Sequence, residues 1–395
     1  MDRQRRDSLL IPAGALFALF FPTSIEGVIS PGLDRLAILL NVALFTALIL
    51  RGYIGDRLQV VTALSLVGWL SLVTLLTPQF EFSLGVFFIF VGLALLLGTD
   101  VRRVRGRHPT GMLLAVNLFV LVVGLGLSLN VEAANTFIKT YYSAYYPTLL
   151  TSMIDWYHKP VLTFATHSTA GFFYYLFFWL NFRTFRSTGR PVWLLWTLVI
   201  LGLGINVRST TSLVLMALAC VQLSLYLGAR LRRPVRWAFV TVAPVLALIV
   251  VLSGGGIRDT LEAASDLVAG NRTRGLTARY AQTGLLAGNL RYLSESPFRP
   301  IGFNYGPESL FYGDSGYVLV LLRGSLPLLV IVYGGYARFL RRNLIETRDA
   351  ACLLIVTAAF EVGYTPLQLF RFTALLPFVI AYLNALEPEA DLGRR

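Results

Sequence analysis

Ionic side chains are scarce in the apolar stretches of this chain, so the few that fall there are the first candidates for chemistry. Arg208, Arg323, Glu361 and Arg371 lie within or at the ends of long hydrophobic runs. A charge at membrane depth costs roughly 2.5–3.5 kcal/mol even on permissive insertion scales, so it needs a partner or a ligand. Arg323 and Glu361 sit deep in consecutive runs, which suits either an ion pair locking two helices or contacts to substrate. Arg208 and Arg371 fall near run ends, where a guanidinium can bind an anion or merely snorkel to water. His167 opens another run, within Thr163-Phe164-Ala165-Thr166-His167-Ser168-Thr169-Ala170-Gly171, and could act as a base, a donor or a hydrogen-bonded interfacial histidine. His108 lies among arginines and His158 among aromatics, so no His/Cys/carboxylate spacing suits a metal. A Gly-x-x-x-x-Gly-Lys-Ser/Thr phosphate loop is absent, and Cys220 and Cys352 both sit in apolar runs. No cofactor, metal or disulfide framework is expected.

The elements that would position these residues follow from composition. Only 14% of the 395 residues are charged, against 56% hydrophobic and 13% aromatic, which points away from a water-soluble domain. Apolar runs recur at about 9–25, 33–50, 58–77, 82–98, 111–129, 161–182, 191–207, 211–229, 237–253, 314–336, 350–368 and 372–386. Each is close to the length that crosses about 30 Å of hydrocarbon, and strands of a barrel would alternate over about ten residues instead. The expected fold is therefore all-α, a polytopic membrane protein of about twelve transmembrane helices forming one integral domain over 1–395, with the lipid bilayer as its solvent.

The net charge of +13 could suggest nucleic acid, but the placement of the basic residues argues for topology. All but Lys139 and Lys159 are arginine, and 22 of the 34 fall in alternate connections, from Arg3, Arg5 and Arg6 to Arg394 and Arg395. The positive-inside rule then puts both termini in the cytoplasm. Two outer segments are longer than turns: 130–160, rich in Tyr141, Tyr142, Tyr145, Tyr146, Trp156 and Tyr157, and 253–313. The aromatic rings could anchor at the headgroups or stack on sugars. The second segment holds Arg258, Arg272, Arg274, Arg279, Arg291 and Arg299, with short helices expected at Asp259–Val268 and Thr277–Leu293. Its charge either serves an anionic ligand or is the ordinary surface of a long translocated loop.

Particular stretches resemble the O-antigen polymerase (Wzy) and O-antigen ligase superfamily. Lys159-Pro160 followed by Phe164 to Phe172 is similar to that family's basic, aromatic, Gly-closed start of a mid-chain span. Arg208-Ser209-Thr210-Thr211-Ser212 looks like its Ser-rich turn with Arg and Ser reversed. Arg279 in Thr277-Ala278-Arg279-Tyr280, then Ser296-Pro297-Phe298-Arg299-Pro300-Ile301-Gly302-Phe303 and Gly313-Asp314-Ser315-Gly316-Tyr317, look polymerase-like. Ligases place a His-Asn pair where Asp314-Ser315 stands here, which favours the polymerase branch.

The resemblance implies a bacterial inner-membrane glycosyltransferase. Its substrate would be oligosaccharide on undecaprenyl pyrophosphate, joined into O-antigen, capsular or exopolysaccharide. It further implies that Arg279 neutralises the leaving group without a metal, and that His167 or Asp314 positions or deprotonates the acceptor hydroxyl. Arg208, Arg291, Arg299, Arg323, Glu361, Arg371 and Tyr317 would bind substrate, and a chain-length regulator is a candidate partner. The alternatives are a ligase passing glycan to a lipid or protein acceptor, and a lipid-glycan transporter or flippase.

Overall fold

In a computed structural model the chain is described over residues 2–22, 24–25, 28–29, 31–103, 110–142, 150–164, 166–230, 280–296, 299–307, 310 and 315–387. The expected span at 237–253, most of the segment 253–313, and Arg279 and Asp314 with it lie outside the described residues. The regular elements described are helices, apart from a two-residue antiparallel ladder pairing Ser24–Ile25 (β1) with Val28–Ile29 (β2).

The chain divides into two compact units. Unit 1 comprises Met1–Phe21, Pro31–Pro109 and Arg274–Arg395; unit 2 comprises Pro22–Ser30 and Thr110–Thr273. In unit 1 the helices are α1 (Asp2–Phe20), α2 (Pro31–Leu50), α3 (Arg57–Leu76) and α4 (Leu84–Leu97), then α10 (Ala287–Glu295), α11 (Gly316–Asn343), α12 (Thr347–Glu361) and α13 (Phe370–Ala385). Unit 2 has α5 (Thr110–Ser128), α6 (Glu132–Tyr142), α7 (His167–Thr188), α8 (Pro191–Asn206) and α9 (Thr210–Arg230).

Gly32–Leu50, Arg57–Leu76, Thr110–Ser128, Thr211–Gly228 and Gly316–Asn343 are long and apolar enough to cross a membrane. Leu10–Phe20, Leu84–Leu97, Pro191–Asn206 and Phe370–Ala385 are apolar but shorter. Side chains such as Leu50, Leu64, Leu75 and Leu76 stand exposed on α2 and α3. An apolar face of that extent suits lipid rather than water. These features make the chain a membrane protein.

Helix α7 is the core of unit 2. Every residue from Thr169 to Phe185 is buried, because α8 and α9 pack along it. Gly171 permits the approach of α9: a Cβ there would meet the Ser212 Cα at 2.8 Å. Asn117 of α5 and Asn181 of α7 exchange amide hydrogen bonds of 2.7 and 2.9 Å, satisfying both polar ends inside the packing. In unit 1, α11 packs on α3 and α12, while α13 packs on α1.

Several expected spans differ from their readings: the helix expected at 9–25 ends at Phe20, that at 161–182 begins at His167, and that at 350–368 ends at Glu361. The run at 314–336 is not a single uninterrupted helix, because α11 breaks at Gly324 (φ −153°) and Ser325 (φ +56°). The cause is local: Gly324-Ser325-Leu326-Pro327 joins a flexible residue to a proline that supplies no N–H. The carbonyls freed by the break find other donors. Ile301 and Gly302 amides donate to Leu322 and Arg323 oxygens, each at 2.9 Å, and Trp69 Nε1 donates to the Gly324 oxygen at 2.8 Å. Irregular backbone in a membrane protein survives where neighbouring protein satisfies it in this way.

Candidate functional site

Among the described residues singled out in the sequence, Glu361 and Tyr317 meet in unit 1, and His167 and Arg208 come together in unit 2. In unit 1 the centre is the start of α11. Ser315 caps the helix through the Val318 amide, and Gly316 donates its N–H to the Tyr364 oxygen at 2.9 Å. Glu361, at the end of α12 and 1% exposed, lays its carboxylate against this first turn. A Cβ at position 316 would stand 1.2 Å from Glu361 Oε2, so glycine is required for the contact. Tyr333 donates to Oε2 at 3.0 Å and the Leu367 amide to Oε1 at 3.1 Å. A carboxylate beside a helix N-terminus is also favoured by the helix dipole. Tyr317 closes the cluster, donating to the Ala358 oxygen at 2.8 Å with its ring 4.9 Å from that of Tyr333.

Tyr280 joins this cluster from the far side. Its hydroxyl donates to Ser315 Oγ at 2.9 Å and to the Val362 oxygen. Tyr280 follows Arg279 in the chain and Ser315 follows Asp314, so the described neighbours of two expected catalytic residues meet through one hydrogen bond. Beneath them Leu286, Ile301, Leu310, Val318 and Leu322 form a buried apolar cluster that seats the described end of the large segment on α11. The helix in that segment is α10, whereas Thr277–Leu293 was expected. Residues 281–286 form turns in its place.

The arginines of unit 1 fall into two kinds. Arg323 is buried and donates to the Gly302 oxygen at 3.0 Å and to that of Asn304. Arg371, also buried, donates to the Ala18 oxygen at 2.8 Å and the Phe21 oxygen at 2.8 Å, closing the C-terminal end of α1. Both guanidiniums therefore satisfy backbone carbonyls. Arg323 and Glu361 occupy separate polar settings rather than forming the ion pair the sequence suggested. Arg291 on α10 and Arg299 beyond it are exposed, and neither side chain has a hydrogen bond or ion pair among the described residues.

In unit 2 the centre is the start of α7. Thr166 caps the helix, bonding Thr169 through its amide at 3.2 Å and its hydroxyl at 2.7 Å. His167 follows, with Nδ1 3.4 Å from Met153 Sδ, and its carbonyl accepts from Ser209 Oγ at 3.4 Å. Ser209 belongs to the turn between α8 and α9, where Arg208 adopts φ +54°. The Arg208 guanidinium donates to Asn206 Oδ1 from Nε at 3.2 Å and Nη2 at 3.0 Å, and Asn206 Nδ2 donates to Ser128 Oγ at 2.8 Å. His167 and Arg208, 41 positions apart in the sequence, thus stand on adjoining turns. A non-glycine residue at positive φ stores about 1–3 kcal/mol, a feature that clusters at ligand sites. Nearby, Lys139 pairs with Asp155 at 2.8 Å and Lys159 lies 5.4 Å over the Tyr157 ring, with Trp156 exposed.

Sequence reasoning did not find the role of Tyr280, Tyr333 or Gly316. The one signal was the position of Gly316 directly after a hydroxyl residue and before an apolar run, which marks a helix start. Among the described residues no three His, Cys, Asp or Glu side chains gather as a metal site would require. Comparisons with protein-family models, with curated proteins and with solved structures found no match.

Proposed function

We propose that this chain is a glycan polymerase of the bacterial cytoplasmic membrane, with about twelve spans and both termini inside. On this reading it joins oligosaccharide units carried on undecaprenyl pyrophosphate at the outer face. The observation that supports it most is the hydrogen bond from Tyr280 to Ser315, which links the segment bearing Arg279 to the helix start bearing Asp314. On this reading Arg279 and Asp314 supply the cation and the carboxylate that a metal-independent glycosyl transfer needs.

In the reaction an acceptor hydroxyl attacks the anomeric carbon of the donor sugar. The bond from that carbon to the pyrophosphate oxygen breaks, and the lipid pyrophosphate leaves with the electron pair. Arg279 stabilises the departing charge through bidentate hydrogen bonds, each contact contributing about 1.5–3 kcal/mol. Asp314 takes the hydroxyl proton, a role typically contributing about 10²- to 10⁴-fold. His167 with Arg208 is the second candidate pair of base and cation, within unit 2. Arg291 and Tyr317 are the substrate contacts of unit 1 on this reading, while Arg323 and Arg371 serve the scaffold.

The test is reconstitution of the purified protein with the lipid-linked repeat unit. Arg279→Ala should abolish the polymer ladder while protein abundance stays normal, and near-normal chain length in that variant would remove Arg279 from the reaction. Glycan finished but stranded on its carrier in a deletion strain would identify a ligase instead. The break in α11 favours one second reading, a lipid-glycan transporter, since interrupted helices are a recurrent device of transporters. Movement of substrate across the bilayer with no new glycosidic bond would establish it.

A further inference from the structure

The interruption of α11 opens a groove of about 640 Å³ in unit 1, within the size range of ligand sites. Its walls are apolar: Trp69, Val73 and Leu76 of α3, Leu293 of α10, and Leu326 and Pro327 just past the break. Leu76 and Leu326 are 71% and 67% exposed, so the groove opens onto the same face as the lipid-facing leucines of α3. One cation lines it among the described residues, Arg299, whose guanidinium is exposed and bonded to none of them. The groove wall is fixed from behind by Trp69 Nε1 on the Gly324 oxygen and by the Gly302 amide on the Arg323 oxygen. It is therefore a preformed cleft with a charged rim, not a gap awaiting collapse.

An apolar slot beside the Arg299 guanidinium fits an amphiphile that has hydrocarbon tails and a negatively charged head. We propose that the groove binds an anionic glycerophospholipid of the surrounding bilayer, one acyl chain against Trp69 and Leu326 and its phosphodiester on Arg299. A guanidinium matches a phosphodiester bidentately, and basic pockets between membrane helices take anionic head groups by the same chemistry. The lipid would fill the preformed cleft beside the broken helix, so its binding does not depend on what the protein catalyses.

The experiment is a lipid titration of the full-length purified protein in neutral detergent, read by unfolding temperature and by native mass spectrometry of retained lipid. Dioleoyl phosphatidylglycerol should raise the unfolding temperature by several degrees more than dioleoyl phosphatidylcholine. Arg299→Gln, at an exposed position, should erase that difference. Leu326→Trp should reduce the response to both lipids, whereas Val330→Trp, exposed on the same helix but outside the groove, should retain it. Equal shifts for the two lipids in the unaltered protein, or a preference retained in Arg299→Gln, overturns the proposal. So does displacement of the bound phosphatidylglycerol by equimolar undecaprenyl pyrophosphate, which would make the groove part of the substrate site. A protein that shows the lipid preference but forms no glycan polymer leaves this inference standing and removes the polymerase reading.

Discussion

Helices α7 and α11 each begin beneath a hydroxyl cap, Thr166 in unit 2 and Ser315 in unit 1, yet they are held by different chemistry. Helix α7 is continuous and enclosed on all sides, so close packing at Gly171 and a reciprocal amide pair at Asn181 suffice. Helix α11 is broken, and its integrity depends on polar groups brought from elsewhere: the Glu361 carboxylate at its start, the Ile301–Gly302 backbone at its break, and Asp56 near its end. Packing tolerates small adjustments, because side chains and whole helices can shift by tenths of an ångström. A buried carboxyl group with fixed donors does not, since displacing it leaves those donors without their acceptor. Substitutions should therefore be felt more sharply in α11.

The strongest test of that contrast pairs two glycines. Gly316→Ala would drive a methyl into Glu361 Oε2, and we expect a loss of about 3 kcal/mol or more in thermal unfolding in detergent. Gly171→Ala should cost about 1–3 kcal/mol, because α9 can move away as a body. Equal losses would dissolve the comparison. Next, Glu361→Ala leaves the Tyr333 hydroxyl and the Leu367 amide without an acceptor, at about 2–5 kcal/mol, while Glu361→Gln restores an acceptor and should recover at least half of the lost unfolding temperature. In α7, Asn181→Ala and Asn117→Ala should each cost about 1–2 kcal/mol, with a coupling energy near the single-mutant values in a double-mutant cycle. Additivity there would show that the amides do not act as a pair.

The smallest effect lies at the far end of α11. Burial pushes the Asp56 carboxyl up, but the Gln59 amide and the Arg338 and Arg342 guanidiniums outweigh it and hold the group below its ordinary value. A depressed carboxylate stabilises the fold above its unfolded value of 3.8 and loses that contribution as pH falls through the folded value. Asp56→Asn should thus cost less than about 1 kcal/mol at neutral pH, given its exposure. The variant should also lose less stability than the unaltered protein on acidification below pH 4.

Much of the helical frame was legible because its signals are local. The runs at 33–50, 58–77, 111–129 and 211–229 reappear as α2, α3, α5 and α9 to within two residues, since the length of each apolar run sets its ends. The run at 161–182 is displaced, because Val161–Phe164 turns with Leu162 at φ +51° before Thr166 caps α7. The break at Gly324–Ser325 was written in Gly-Ser-x-Pro but masked by the apolar average around it. At the sites, His167 and Arg208 were both singled out, but nothing in their spacing placed them on adjoining turns. Arg371 was read as a substrate contact, and no local signal announced that its guanidinium reaches carbonyls 350 and 353 positions away.

Composition and run length alone determined that this chain is helical and belongs in a membrane, because the cost of exposing apolar side chains to water is summed residue by residue. The scarcity of charge in those runs likewise marked Arg208, Arg323, Glu361 and Arg371 as residues needing partners. Which partners they took was decided only by tertiary structure: a hydrogen bond requires two groups within about 3 Å, and that proximity depends on how distant helices pack. Glu361 against Gly316, Tyr280 on Ser315 and the open groove at the α11 break are all consequences of that packing.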